Sequence, residues 1–174
     1  VHWLRAGFDA ISVGRKTAET DDPQLTVRGA VPPRVPPTRV VFTRGGLKKD
    51  LHLVRTAREV PTVVLTDPAS RPLTEKTLDG TGVEVLPAVG RKDALLALRQ
   101  KGIRSLLVEG GGNLITALLQ DDLVDRIYWI QAPILLGSGT RAFGDRSPSL
   151  LADARHWVVT DRQAMGQDTL LVVD

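Results

Sequence analysis

No cysteine occurs anywhere in the 174 residues. Disulfides, thiol nucleophiles and cysteine-held zinc or iron–sulfur sites are thereby excluded. Histidine is almost as scarce: His2, His52 and His156 are scattered along the chain, so no metal site is expected. Aromatic residues make up only 4% and do not interleave with basic clusters. A stacking platform for single strands is therefore not expected, nor any nucleic-acid partner. No apolar run approaches the roughly 20 residues that a membrane helix needs. Arg5 and Asp9 interrupt the N-terminal stretch, so it does not read as a signal peptide. The expectation is a soluble, cytoplasmic protein with no membrane partner.

Several chemical signatures are missing as well. There is no G-x-x-x-x-G-K-[ST] segment, which excludes a P-loop nucleotidase. No convincing Ser/His/Asp set can be assembled. Neither H-x-E nor C-x-x-C occurs, so zinc-dependent deamination is excluded for these residues.

What is present has the composition of an ordinary globular protein, 42% hydrophobic and 25% charged. The length suits one domain, residues 1–174, without a second. Arginine far outnumbers lysine, which lifts the pI to about 9.6 although the net charge is only +3. Arginine suits bidentate phosphate recognition, so a phosphorylated ligand is one reading; a simple compositional bias is the other.

Short apolar segments alternate with polar or helical connections. Asp9–Gly14, Arg39–Thr43, Thr62–Thr66, Val83–Pro87, Ser105–Glu109 and Arg126–Ala132 read as strands. Their Val, Ile and Leu content shows little alternation, as in strands covered on both faces. Trp157–Asp161 and Thr169–Val173 read as two more, joined by a turn at Gly166. Helical spacing appears in Arg91–Lys101, closed by Gly102, and in Asn113–Gln120. The pattern predicts an α/β fold: a mainly parallel sheet flanked by helices, with the two C-terminal strands antiparallel at an edge. Proline-rich Gly29–Thr38 is expected to be a stiff surface loop.

The densest local signal is Ser105–Ala117, SLLVEGGGNLITA. A strand ends in Glu109, three glycines follow, and Asn113 is placed to cap the next helix. Glycines let a backbone approach a ligand closely, and a helix N-terminus favours phosphate. The same residues also read as a tight strand–helix turn with an exposed carboxylate. Gly137–Gly144 matches G-x-G-x-x-[GA] in Gly137, Gly139 and Ala142. It lacks the strand–helix context of a dinucleotide fingerprint, which leaves a backbone cradle as its functional reading. In Gly14–Arg28, the residues Arg15, Lys16 and Arg28 suit phosphates, and Thr17 and Asp21 suit hydroxyls or amides. Asp22–Pro23 is good turn chemistry.

Together, DAISVGRKTAETDDPQLTVR and LLVEGGGNLITALLQDDLVDRIYWIQAPILLGSG resemble the reductase domain of riboflavin biosynthesis, from Arg5 to Gly139. The resemblance implies a dihydrofolate-reductase-like fold and NADPH-dependent reduction of 5-amino-6-(5-phosphoribosylamino)uracil, a small phosphorylated pyrimidine, to its ribitylamino product. It also implies a homodimer and, in the native protein, a deaminase domain fused upstream. The alternatives are another dihydrofolate-reductase-like enzyme acting on a pterin or pyrimidine, and a nucleotide-binding module without catalysis. Carried over by position, Arg5, Leu25, Arg28 and Glu109 are expected to bind substrate, with Arg28 on its phosphate. Thr17 and Asp21 are expected on the cofactor, with Gly111, Gly112, Asn113, Leu114, Ile115, Thr116 and Ala117. Arg44, assisted by Arg15 or Lys16, is expected at the 2′-phosphate that distinguishes NADPH. No proton donor is assigned. The resemblance also places Val1 inside the family's first helix, so the opening strand is expected to be absent from these residues.

Overall fold

A computed structural model describes residues 1–29, 33, 35–144, 154 and 156–174. Part of the proline-rich stretch, residues 30–32 and 34, lies outside the described residues, as do 145–153 and 155. The chain forms two compact units, Val1–Ile115 and Thr116–Asp174.

The first unit opens with a one-turn helix α1 (His2–Arg5) and strand β1 (Ala10–Gly14), followed directly by α2 (Arg15–Asp21). Then come β2 (Thr38–Phe42), α3 (His52–Arg55), β3 (Thr62–Thr66), a 3-10 turn at Pro68–Ser70 and α4 (Arg71–Leu78). It continues with β4 (Glu84–Pro87), α5 (Arg91–Gln100) and β5 (Leu106–Val108). The five strands are parallel, in the order β4-β3-β2-β1-β5.

The lack of alternation in these strands has a simple cause: both faces of the sheet are buried. Ile11, Val13, Val41 and Val64 point to one side, where they pack with Leu25, Leu47, Leu53 and Val54. Ala10, Val40, Val63 and Leu65 point to the other, against Ala94 and Leu98 of α5. The 94/98 spacing puts both on one helix face. Gly102, at φ 87°, ends α5 as expected: its amide donates to Arg99 O, and Ile103 N donates to Leu98 O.

The helices α2, α3 and α4 carry no clear apolar period in the sequence. Each buries only one or two side chains, such as Ala18 in α2 or Thr74 and Leu78 in α4. Their helicity follows from docking onto the sheet rather than from an amphipathic stripe.

Helix α6 (Gly112–Gln120) begins in the first unit and ends in the second. The second unit continues with β6 (Ile127–Gln131), β7 (Val159–Met165) and β8 (Asp168–Val173). The expected antiparallel pairing of the last two strands is present, but it belongs to a separate three-stranded sheet, β6-β8-β7. β8 therefore takes the centre, between two antiparallel partners. The hairpin turn at Gly166, at φ 69°, fixes the register Met165↔Asp168. That register carries β7 through Thr160–Ala164 and leaves Trp157 outside the strand. No helix among the described residues is long and apolar enough to cross a membrane.

Candidate functional site

Strands β1 and β5 are neighbours, in the register Ser12↔Val108. Glu109 N donates to Ser12 O at 2.8 Å, so the ladder runs one residue past β5 and fixes where Glu109 leaves the sheet. Gly110 and Gly111 follow at φ 79° and 83°, a backbone conformation that L side chains rarely adopt. A Cβ on Gly111 would lie 3.1 Å from Thr17 Oγ1, and one on Gly110 would lie 3.5 Å from Thr17 Cγ2. Gly14 meets the Leu114 side chain in the same way, at 3.7 Å. The β1–α2 and β5–α6 turns thus abut at the carboxyl edge of the sheet, and they do so because three glycines have no side chains there.

The carbonyl of Gly111 accepts from Leu114 N at 2.8 Å and from Ile115 N at 3.1 Å. Gly111 thus holds the capping position of α6, and Asn113 lies exposed inside its first turn, not at the cap. The first turn of any helix leaves amides without intrahelical partners, and these carry partial positive charge. Two interior hydroxyls, Ser12 Oγ and Thr66 Oγ1, are buried without a hydrogen-bond partner. Thr66 closes β3 at the same carboxyl edge.

Glu109 is held by a two-pronged ion pair. Arg5 Nε donates to its Oε1 at 2.6 Å and Arg5 Nη2 to its Oε2 at 2.5 Å. Both side chains are largely buried, 13% and 20% exposed, so the pair is weakly screened. Arg5 Nη1 also donates to Thr26 O at 2.8 Å, in the segment that carries Leu25 and Arg28. The backbone of Arg28 is itself tied to α1, its N–H donating to His2 Nδ1 at 3.1 Å. The Arg28 side chain is exposed. Leu25 is different: its side chain lies in the core, 2% exposed, with its backbone at φ 49°. Its side chain is therefore not available to a ligand.

Of the residues expected on a cofactor, Thr17 and Gly111 are in contact range, and Leu114 packs on Gly14. Asp21 and Lys16 are exposed on α2. Arg15 pairs with Glu19 at 3.0 Å and lies 3.5 Å from where a Cβ on Gly45 would stand. It thus reaches the loop carrying Arg44, whose carbonyl accepts from Ser70 Oγ at 2.9 Å. Gly112 opens α6, and Ile115 is half-buried on it. In the second unit Thr116 Oγ1 accepts from Gly144 N at 2.7 Å, and Ala117 is half-buried. The second glycine-rich turn is irregular and largely exposed there, with Phe143 stacked on Trp129 at 5.6 Å.

His2 and Thr26 belong to this constellation, yet no motif marks either. The one sequence signal is the spacing of His2 and Arg5, i and i+3, which aligns two side chains on one helix face. Chemically, the assembled groups are a bare-amide turn, a helix N-terminus, several exposed arginines and one oriented carboxylate. That set suits a phosphorylated ligand with a polar ring or sugar.

A parallel sheet with such a turn at its carboxyl edge, accompanied by an antiparallel sheet, is the architecture of dihydrofolate-reductase-like α/β domains. Within that class, the chain belongs to the RibD C-terminal domain family, whose model matches residues 1–171. A curated relative is the 2,5-diamino-6-ribosylamino-4(3H)-pyrimidinone 5′-phosphate reductase of Aquifex aeolicus. The two are 32% identical over 159 residues, 87% of this chain and 66% of the relative. Among solved structures, Acinetobacter baumannii RibD superposes with a TM-score of 0.83 at 26% identity, over 99% of this chain and 48% of that one. A Thermotoga maritima protein has the same fold, with a TM-score of 0.82 at 24% identity over 99% of this chain and 46% of that one. That protein is named a diaminohydroxyphosphoribosylaminopyrimidine deaminase/5-amino-6-(5-phosphoribosylamino)uracil reductase. The chain thus spans less than two thirds of each of these relatives.

Proposed function

We propose that this chain is the NADPH-dependent reductase that converts 5-amino-6-(5-phosphoribosylamino)uracil to 5-amino-6-(5-phosphoribitylamino)uracil in riboflavin biosynthesis. The observation that carries the reading is the meeting of Thr17, Gly111 and Glu109 at the carboxyl ends of β1 and β5, in a chain of the RibD C-terminal domain family.

The residues fit a dinucleotide. The Gly110–Gly111 turn closes against Thr17 only without a Cβ, and it leaves bare amides beside the α6 N-terminus. A pyrophosphate suits those amides and the residues Gly111 to Ala117, with Thr17 and Asp21 beside them. Arg44, with Arg15 or Lys16 near it, is assigned to the 2′-phosphate. When bound, the reduced nicotinamide supplies hydride to C1′ of the sugar, reached as an open-chain imine. Glu109, oriented by Arg5, accepts hydrogen bonds from the sugar or heterocycle and offsets positive charge at the reacting carbon. Arg28 takes the 5′-phosphate, and the backbone at Leu25 lines the same segment. Positioning of this kind supplies much of the rate in a reaction whose redox chemistry belongs to the cofactor.

The name of the Aquifex relative favours a second substrate, the 2,5-diamino pyrimidinone, which carries an amine at C2 where the uracil has a carbonyl oxygen. The reading further takes residues 1–174 as one reductase domain that acts in the cytoplasm, as a homodimer, with a deaminase domain fused upstream in the native protein. The greater length of RibD proteins supports that last element.

The test follows NADPH consumption by absorbance with each pyrimidine in turn and NADH as the control. Turnover of the uracil with a preference for NADPH is expected. Turnover of the diamino compound alone would move the substrate to the second reading. Reduction of dihydrofolate instead would overturn both.

A further inference from the structure

The helix α1 makes four hydrogen bonds to the candidate site. Three come from Arg5, which grips both oxygens of Glu109 and reaches Thr26 O with its remaining nitrogen. The fourth comes from His2, whose Nδ1 accepts the amide hydrogen of Arg28 at 3.1 Å. Glu109 stands 104 residues from Arg5, just past the end of β5. Arg28 lies in an irregular segment after α2 that has no strand partner of its own. Without α1, the two proposed ends of a substrate site, carboxylate and phosphate-binding arginine, would be set by separate and unconnected pieces of chain.

We infer that α1 is a brace and that His2 is a positioning residue for Arg28, acting through the Arg28 amide while Arg5 fixes Glu109 on the other side. The inference rests on the proposed reductase function for its kinetic consequences, but not for its structural ones. The chemistry is specific. An exposed arginine on a loose segment must give up backbone freedom each time it captures a phosphate. Holding its amide in advance removes part of that cost. The acceptor is Nδ1, the ring nitrogen nearest the backbone. An asparagine oxygen occupies nearly that position, whereas glutamine reaches further out.

The experiment compares wild type with His2→Ala, His2→Asn and His2→Gln, and each with 5-amino-6-(5-phosphoribosylamino)uracil and its dephosphorylated analogue. Loss of one preorganising hydrogen bond is expected to raise KM for the phosphorylated substrate about five- to tenfold in His2→Ala. Little change is expected in kcat, and none in KM for the analogue. His2→Asn should restore most of the effect and His2→Gln should not. In parallel, amide hydrogen exchange at Arg28 should speed up in His2→Ala and recover in His2→Asn. General destabilisation would raise KM for both substrates alike, and that result overturns the inference. So does unchanged exchange at Arg28. If wild type turns over neither pyrimidine, the proposed function fails while the exchange data still decide the brace.

Discussion

Gly111 offers the sharpest test of how the candidate site is built, through its replacement by alanine. At φ 83° an L residue pays about 1–2 kcal/mol for left-handed backbone. Alanine recovers about 0.4–1 kcal/mol by restricting the unfolded chain. The new Cβ would also stand 3.1 Å from Thr17 Oγ1, close enough that the hydroxyl must move by a few tenths of an ångström. The two backbone terms leave a loss of up to about 1.6 kcal/mol, and moving the hydroxyl brings the total to about 1–2 kcal/mol, or a fall in Tm of about 2–8 °C. Thr17 is displaced in the same change, so the dissociation constant for NADPH should rise about tenfold. Gly112→Ala is the natural comparison. Gly112 is the first residue of α6 and is not among the glycines with positive φ. Alanine there should leave stability unchanged or raise it by up to about 1 kcal/mol. Thermal unfolding and calorimetric titration with NADPH measure both effects. If Gly111→Ala matches wild type in Tm and in affinity, the turn does not close on Thr17 as described. Equal losses at 111 and 112 would refute the argument from φ.

Other predictions follow from neighbouring parts of the molecule. Arg28→Ala should raise KM by roughly the 2 kcal/mol of a lost charged hydrogen bond; removing the substrate phosphate should then matter far less in the variant than in wild type. Equal sensitivity in the two would take the phosphate away from Arg28. Arg39 is fully buried, donating to Thr62 Oγ1, Thr56 Oγ1, Leu53 O and Val60 O. Burial lowers its pKa to about 10, still well above neutral, so it is a cation inside the fold. Arg39→Met leaves these acceptors short of donors and should cost about 2–3 kcal/mol, read by urea unfolding; an unchanged midpoint would refute it. Asp9 accepts from the amides of Arg104 and Ser105, and its carboxyl is held below the usual range chiefly by the Arg104 amide. A depressed folded pKa means stability present above about pH 4 and lost as pH falls through the folded value. Asp9 is exposed, so Asp9→Asn should lower stability by only about 0.5 kcal/mol near neutrality and by nothing at strongly acidic pH. A difference independent of pH would contradict that assignment.

Much of the first unit is legible in the sequence because the signals are local. A strand buried on both faces is mostly apolar, and β1, β2 and β3 are therefore visible as short runs rich in Val, Ile and Leu, with Ser12, Arg39, Thr62 and Thr66 as buried polar exceptions. α5 carries an i,i+4 apolar pair and its own stop, a glycine in a left-handed cap. The glycines after Glu109 announce a strand–helix turn because only a residue without Cβ takes that backbone path. The helices α2, α3 and α4 give no such signal, since one or two buried residues cannot make a period. β7 hides behind the polar run Thr160–Ala164, in which all five residues are exposed. Its strand character comes from the ladder with β8, whose register the Gly166 turn sets.

The amino-acid sequence by itself determined which segments of the first unit are strands, where the glycine turn must fall and which residue types cluster there. The tertiary structure alone decided what those residues do to one another. Arg5 and Glu109 meet across 104 positions because β5 pairs beside β1, the strand that follows α1. Leu25 turns into the core while Arg28, three residues later, faces solvent. His2, with no motif around it, becomes the acceptor for the Arg28 amide. Hydrogen bonds and ion pairs act over about 3 Å, whereas sequence patterns report only on neighbours along the chain. Contacts between distant segments are therefore written in the fold and not in the local spacing of residues.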